Sequence, residues 1–515
     1  MGSFSDNLSK LLAKITGKTS ADSIQQSTNP QKLTEDIFPP ARTISPATNV
    51  SKEREPYFFQ IGFDFGTSSS KAVIRDINID RAWVYTVTFA APHTAFLIPS
   101  VVIYKDDKFL RHLDIDTLYP EGGLYHLKMA VEKAALGEIN DPIFGEYRRI
   151  VGRKSPHTPA HIAFLASVFF LSSTFSEISN SIIQKFPDFG RKSEDQMAIN
   201  MAIPVANISN NSVRSLFEKI LNIAWLLGRK HNVGQDSFVI DELSQKVKEI
   251  ENALEQTSNS ELCHVYPEVS ASVQAFVRSP ASSPDDRTIY FFSDAGAGTV
   301  DQSVFTYAGG NGRRLNYFSA EVFPRGSGQI ELAACAGEVN EINLEYWRKE
   351  KELGKNSPEL NVAKMKVSEG LKFDSTKTLQ GTLKCLPYGE GGITPTTSLK
   401  EKIKFIFSGG GNIEFPYQRA VVDAYKEALG TAQDPVFTSI ARPSDLEIPQ
   451  GYEHWINRLY VAYGLSFLFY GLAENTFPSE NKLDPGETSQ TQVACSCNGF
   501  NKNCSKCYGT GMIQP

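Results

Sequence analysis

Two stretches far apart in the chain each set one carboxylate beside a turn of small residues, a combination suited to holding phosphate and a metal ion. Residues 61–74 read Ile-Gly-Phe-Asp-Phe-Gly-Thr-Ser-Ser-Ser-Lys-Ala-Val-Ile. Residues 290–304 read Tyr-Phe-Phe-Ser-Asp-Ala-Gly-Ala-Gly-Thr-Val-Asp-Gln-Ser-Val. Each is an apolar strand, then Asp-x-Gly, then glycine or hydroxyl residues, then a second apolar strand. The pattern predicts two β-hairpins whose turns carry Asp64 and Asp294. Backbone N–H groups at Gly66, Thr67, Ser68 and Ser69, and at Gly296, Ala297, Gly298 and Thr299, can approach phosphate oxygens because no bulky side chain intervenes. Mg²⁺ keeps much of its water and is held through carboxylates and phosphates. Asp64 and Asp294 are the expected pair, with Asp301 in reserve. Phosphoryl transfer to water needs positioning and charge neutralisation more than covalent chemistry. Asp294 is the candidate for orienting the attacking water, Thr299 for a hydroxyl on the same phosphate, and a nearby lysine would offset developing charge. Two such hairpins facing each other would hold ATP or ADP with its metal ion, which makes an ATPase the leading reading.

The elements around these turns alternate between strand and helix, the signature of an α/β architecture. β-like sequence covers 83–90 and 96–104, and an apolar strand covers 197–204. Helical spacing marks 159–186, and also 212–228, where Val213, Leu216, Phe217, Ile220, Leu221 and Ala224 share a face. Residues 234–260 read as a charged helix, 328–373 as mostly helical, and 456–474 as the last helix of the body. A third strand-turn-helix unit, 403–428, carries Gly409, Gly410 and Gly411 at its turn. Four regions result: an extension over 1–56, a body over 57–475, a linker over 476–493 and a cysteine-rich end over 494–515. In the extension, Phe4, Leu8, Leu11, Leu12 and Ile15 recur at helical spacing, ahead of a tether rich in Ser, Thr, Asn, Gln and Pro.

Composition narrows the function. The 515 residues are 41% hydrophobic and 21% charged, ordinary for a globular protein. A net charge of −6 argues against general electrostatic binding to nucleic acid. The most apolar run, residues 162–171, falls short of the roughly 18 residues needed to cross a bilayer. The N-terminus lacks the apolar core of a secretory signal, and Asp6 breaks the acylation motif that Met1-Gly2 suggests. Cys263, Cys335 and Cys385 are scattered without pairing pattern, which suggests a reducing, cytoplasmic setting.

Taken together and in order, 61–74, 290–304 and 405–412 resemble the phosphate-1, phosphate-2 and adenosine motifs of the actin/Hsp70/sugar-kinase ATPase superfamily, with Hsp70 nearest. Ile98-Pro99-Ser100-Val101-Val102 is similar to the Thr-Pro-Ser segment of Hsp70s, and Ala202-Ile203-Pro204-Val205-Ala206 to their Val-Pro-Ala strand end. Residues 267–272 resemble the Glu-Pro-Thr helix start, and 461–465 the second connecting helix. The resemblance covers about 57–475. It implies a two-lobed fold of duplicated RNase H-like domains, with the nucleotide at the bottom of the cleft. It implies catalytic roles for Lys128 and Glu268, with Asp64 and Asp294 near the metal. The family's adenine-contacting Glu-x-x-Lys pair is met by Lys366 and Glu369, in reversed order. The segment after the body is too short for the peptide-binding β-sandwich of an Hsp70 chaperone.

In its place stand Cys495, Cys497, Cys504 and Cys507. Four thiolates in two close pairs suit a closed tetrahedral Zn²⁺ site. The second pair resembles the Cys-x-x-Cys-x-Gly-x-Gly repeat of J-protein cysteine-rich domains, while the first has one residue between its cysteines. The expected function is an Hsp70-like ATPase that switches a protein partner, engaged through the zinc knuckle or the N-terminal extension. Alternatives are an actin-like filament former, a small-molecule kinase, and a zinc-dependent interaction protein with a degenerate nucleotide site.

Overall fold

The computed structural model describes residues 54–476 apart from 88–93, 153–154, 205–209, 231–236, 257–261, 279–284, 309–313, 386–402, 414, 450 and 452, together with 493–494 and 512–513. The molecule is a mixed α/β protein, with several sheets and eleven α-helices among the described residues. The predicted N-terminal helix and all four clustered cysteines lie outside the described residues.

The first sheet is built on a three-stranded meander, β1 (Phe58–Asp64), β2 (Ser69–Asp76) and β3 (Arg81–Val84). β4 (Ile98–Pro99) pairs with the start of β2. β5 (Val102–Lys105), β6 (Lys108–Arg111), β7 (Gly123–Leu124) and, later, β9 (Ser237–Val239) form a small separate sheet. β8 (Gln196–Ile203) runs parallel to β1, and β10 (Cys263–Pro267) runs parallel to β8. β1 and β8 are almost wholly buried, as near-continuous apolar strands covered on both faces must be.

The second sheet repeats that plan. β11 (Asp285–Ala295), β12 (Val300–Ala308) and β13 (Arg314–Phe323) form its meander. β14 (Ile403–Ser408) runs parallel to β11, as β8 does to β1. β15 (Val436–Phe437) closes one edge, β16 (Leu446–Glu447) returns to the first sheet beside β3, and β17 (Glu474–Thr476) closes the other edge of the second sheet. In both sheets the turn between the first two strands is a predicted phosphate turn. Asp64 faces Lys71 across one hairpin, and Asp294 faces Asp301 across the other. Among the described residues, β18 (Val493–Ala494) and β19 (Met512–Ile513) pair only with each other.

Helices α1 (Leu127–Ala135), α2 (Pro142–Val151), α3 (Pro159–Lys185), α4 (Asn211–Lys230) and α5 (Ile240–Gln256) belong to the first half. α3 matches the helix expected over 159–186. It is the one described helix long and apolar enough to cross a membrane, but 89% of its most apolar window is buried inside the molecule. Three of its buried hydroxyls are satisfied within the helix, where Ser167, Ser172 and Thr174 donate to carbonyls three or four residues back. α6 (Glu268–Val277) follows β10 directly. α7 (Gly328–Ala334), α8 (Glu341–Glu352), α9 (Pro358–Cys385) and α10 (Phe415–Leu429) surround the second sheet.

The predicted helix over 456–474 is instead a six-residue α11 (Tyr460–Leu465) between two 3₁₀ turns. Asn200 explains the stop. Its Nδ2 donates to the carbonyls of Leu465 and Phe467, giving the helix end partners outside the helix. α6 and α11 cross in a core shared by both sheets, where Val269, Ala271, Val461 and Ala462 meet Val73 and Tyr290. A Cβ on Gly464 would lie 1.9 Å from the Ala271 carbonyl, so only glycine permits that crossing.

Candidate active site

The three glycine-rich turns meet. The first two are in direct contact, since a Cβ on Gly298 would lie 2.8 Å from Thr67 Oγ1 and 2.9 Å from Met129 Sδ. The third presses against the acid of the second. Gly409 has φ +84°, and a Cβ there would lie 2.2 Å from Asp294 Oδ1. The second turn is held rigidly by its own neighbours. Gly326, Ser327 and Gly328 donate their N–H groups to the carbonyls of Gly298, Gly296 and Ala297 at 2.8–3.1 Å. In the first turn, Ser100 N donates to Ser68 O at 2.9 Å, tying it to the Pro-Ser segment.

These turns floor a cleft of about 770 Å³. Two acid–lysine pairs stand in it. Lys71 Nζ donates to Asp64 Oδ2 at 2.9 Å, and Lys128, the second residue of α1, pairs with Glu268, the first residue of α6. Asp294 and Asp301 lie buried beside them, and Thr299 Oγ1 donates to Asp301 Oδ2 at 2.9 Å. Burial pushes the Asp294 carboxyl up to about 7, reinforced by the charges of Glu268 and Asp64 and opposed by Lys71 and Lys128. Asp301 is held well above the usual carboxylate range, by burial first and then by Glu268. Burial alone would lower the Lys128 ammonium, but Glu268, Asp301 and Asp64 together raise it, so this lysine stays charged.

Asp64, Gly66, Thr67, Ser68, Ser69, Lys128, Glu268, Asp294, Gly296, Ala297, Thr299, Asp301, Gly409, Gly410 and Gly411 all line the cleft. Gly298 serves as the contact between turns. Lys366 and Glu369 do not line it: both lie on the exposed side of α9, and Lys364 of the same helix reaches the cleft instead. A helix turns about 100° per residue, so a two-residue error in placement selects the opposite face. Sequence reasoning also missed Lys71, which was read only as a strand residue. It missed His126, whose backbone sits in the left-handed region (φ 56°) and whose Nδ1 is buried without a partner among the described residues. Arg458 was missed as well. Its guanidinium lies against Gly410, within 2.6 Å of where a Cβ would stand, and only the fold brings residue 458 to residue 410.

The donor set suits a hydrated divalent cation. Among the described residues no three His, Cys, Asp or Glu side chains are grouped to hold a metal by themselves. Asp64 Oδ1 and Asp301 Oδ1 are nevertheless buried oxygens without hydrogen-bond partners among the described residues. One or two free carboxylate oxygens beside glycine-rich turns fit Mg²⁺, which takes the rest of its shell from water and any bound phosphate. No protein-family model matches this chain, and no curated protein matches it.

Proposed function

We propose that the chain is an Hsp70-like ATPase of the actin/Hsp70/sugar-kinase superfamily, with two lobes closing on ATP and a nucleotide-dependent hold on a protein partner. The convergence of three glycine-rich turns around two acid–lysine pairs carries this reading. The duplicated sheet plan supports the two-lobed architecture, because each copy supplies one phosphate turn.

In this reading the backbone amides of 66–69 and 296–299 cradle the phosphates. Lys71 and Lys128 offset their charge, and Lys128 is placed by Glu268 to do so from the cleft wall. Asp294, ionised above about pH 7, accepts a hydrogen bond from the attacking water and aligns it. Thr299 supplies a hydroxyl to the terminal phosphate. Mg²⁺, held through Asp64 and close to Asp294 and Asp301, would neutralise the phosphate oxygens. Burial of these groups strengthens each interaction relative to water. The four clustered cysteines form the proposed zinc site. Pairing of β18 with β19, with Val493 facing Ile513, draws the ends of that stretch together.

The test is calorimetric titration with ATP and Mg²⁺, alongside phosphate release. Wild type should bind ATP and hydrolyse it slowly. Asp294→Ala should retain binding within about tenfold and lose hydrolysis by 10² or more. Turnover unchanged by that substitution removes the ATPase reading.

A further inference from the structure

A second hollow, of about 370 Å³, opens between α1, α3, α4 and α5. It shares no lining residue with the cleft. Its floor is apolar. Val131 and Val247 are buried there, and Ala134, Phe164 and Leu216 border the core half-buried. That volume stands at the small end of ligand cavities, which are typically apolar with a few placed polar groups.

The mouth supplies the polar groups, and their charge is unbalanced. Lys219 Nζ lies 2.9 Å from Glu251 Oε1, so these two offset each other across α4 and α5. The same ammonium stands 5.8 Å from the Phe164 ring centroid, which sets the pair directly over the floor. His161 Nε2 is 3.4 Å from Ser244 Oγ, joining α3 to α5. Burial, then the charges of His157 and Lys248, hold the His161 imidazolium below its usual range, so the ring is neutral at pH 7. Lys248 also lines the mouth, and it has no ion-pair partner among the described residues. Of the groups around the hollow, it carries the one unmatched charge.

We propose that this hollow binds a medium-chain fatty carboxylate, the tail lying on the apolar floor and the head group pairing with Lys248. An exposed lysine by itself is ordinary, and so is an apolar dimple. Together they complement a ligand that is apolar along its length and singly negative at one end. A neutral apolar molecule would leave Lys248 unmatched, and a cation would meet both Lys248 and Lys219. Ser244 and the neutral His161 ring can hydrogen-bond the second carboxylate oxygen. Val131 and Ala134 reach the hollow from α1, the helix that carries Lys128 into the cleft. The inference does not depend on the nucleotide reading.

Calorimetric titration of the full chain tests it, with octanoate and octylammonium as probes of equal tail and opposite charge. Octanoate should saturate one site per chain and bind at least tenfold more tightly than octylammonium. Lys248→Glu, at an exposed position, should weaken octanoate at least tenfold and remove that preference. Ala134→Leu extends a side chain into the hollow and should weaken octanoate by a similar factor with Lys248 intact. No saturable octanoate binding at millimolar concentration overturns the proposal. So does equal binding of the two probes, or an octanoate affinity that Lys248→Glu leaves unchanged. Loss of affinity in Lys248→Glu but not in Ala134→Leu would mark a surface ion contact without a seated tail, and overturns it equally.

Discussion

Asp294 has two demands on it that conflict. In the proposed hydrolysis it must be ionised to align water, yet burial beside Glu268 and Asp64 favours its protonated form up to about pH 7. In the unfolded chain the same carboxyl ionises near 3.8. Between those values the folded state binds the extra proton, so this group's contribution to stability is greatest at low pH and is lost as pH rises to about 7. The interval sets a ceiling of about 4 kcal/mol, shared with Asp301, which titrates in the same cluster. Asp294→Asn should therefore raise unfolding free energy at pH 8 by on the order of 2–4 kcal/mol, with the gain shrinking toward pH 4. Urea denaturation at both ends of that range measures it. The same variant should lose hydrolysis, whereas wild-type kcat/KM should rise with an apparent pKa near 7. The acid is readable from sequence because Asp-x-Gly between two apolar strands specifies a turn. Its neighbours Lys71, His126 and Arg458 are not readable, because each becomes a cleft residue only through pairing or packing with distant chain.

At the scale of elements, the crossing of α6 and α11 holds the two sheets in one core. Gly464→Ala would drive a methyl into the Ala271 carbonyl, 1.9 Å away, and separate the helices. Overpacking of that kind costs about 1–3 kcal/mol or more. Gly381→Ala, inside α9 with open space around it, is the matched contrast and should gain up to about 1 kcal/mol in helix propensity. Opposite signs in chemical denaturation are expected; equal effects would mean that the crossing tolerates more room than its geometry allows. Elements such as α3 and β8 were legible within a residue or two, because long apolar runs bounded by proline leave few alternatives. The segment 456–474 was not. Its composition favours helix throughout, and the stop at Leu465 comes from Asn200, 265 residues earlier in sequence.

At the scale of the whole molecule, the described body ends tied to its second sheet. β17 adds to the edge of the second sheet, and three contacts secure the chain there: Ser270 Oγ donates to Asn475 Oδ1 at 2.8 Å, Tyr266 OH donates to the Ala473 carbonyl at 2.7 Å, and Arg314 pairs with Glu474. β18 and β19 contribute to neither large sheet. A chain ending at residue 490 therefore keeps the described contacts of the body and every described residue of the cleft. Its melting temperature should stay within about 2 °C of wild type, since a loss of 1 kcal/mol in a body this large shifts it by only a few degrees. ATP affinity should stay within about twofold. Zinc content, measured by atomic emission, should fall from about one ion per chain to none, as expected if the four thiolates are the ligands. If the knuckle selects the partner, pull-down by the shortened chain should lose proteins that the intact chain retains. A fall of several degrees on truncation would instead show that the cysteine-rich end packs on the body, making it part of the proposed ATPase fold and not a module carried by it.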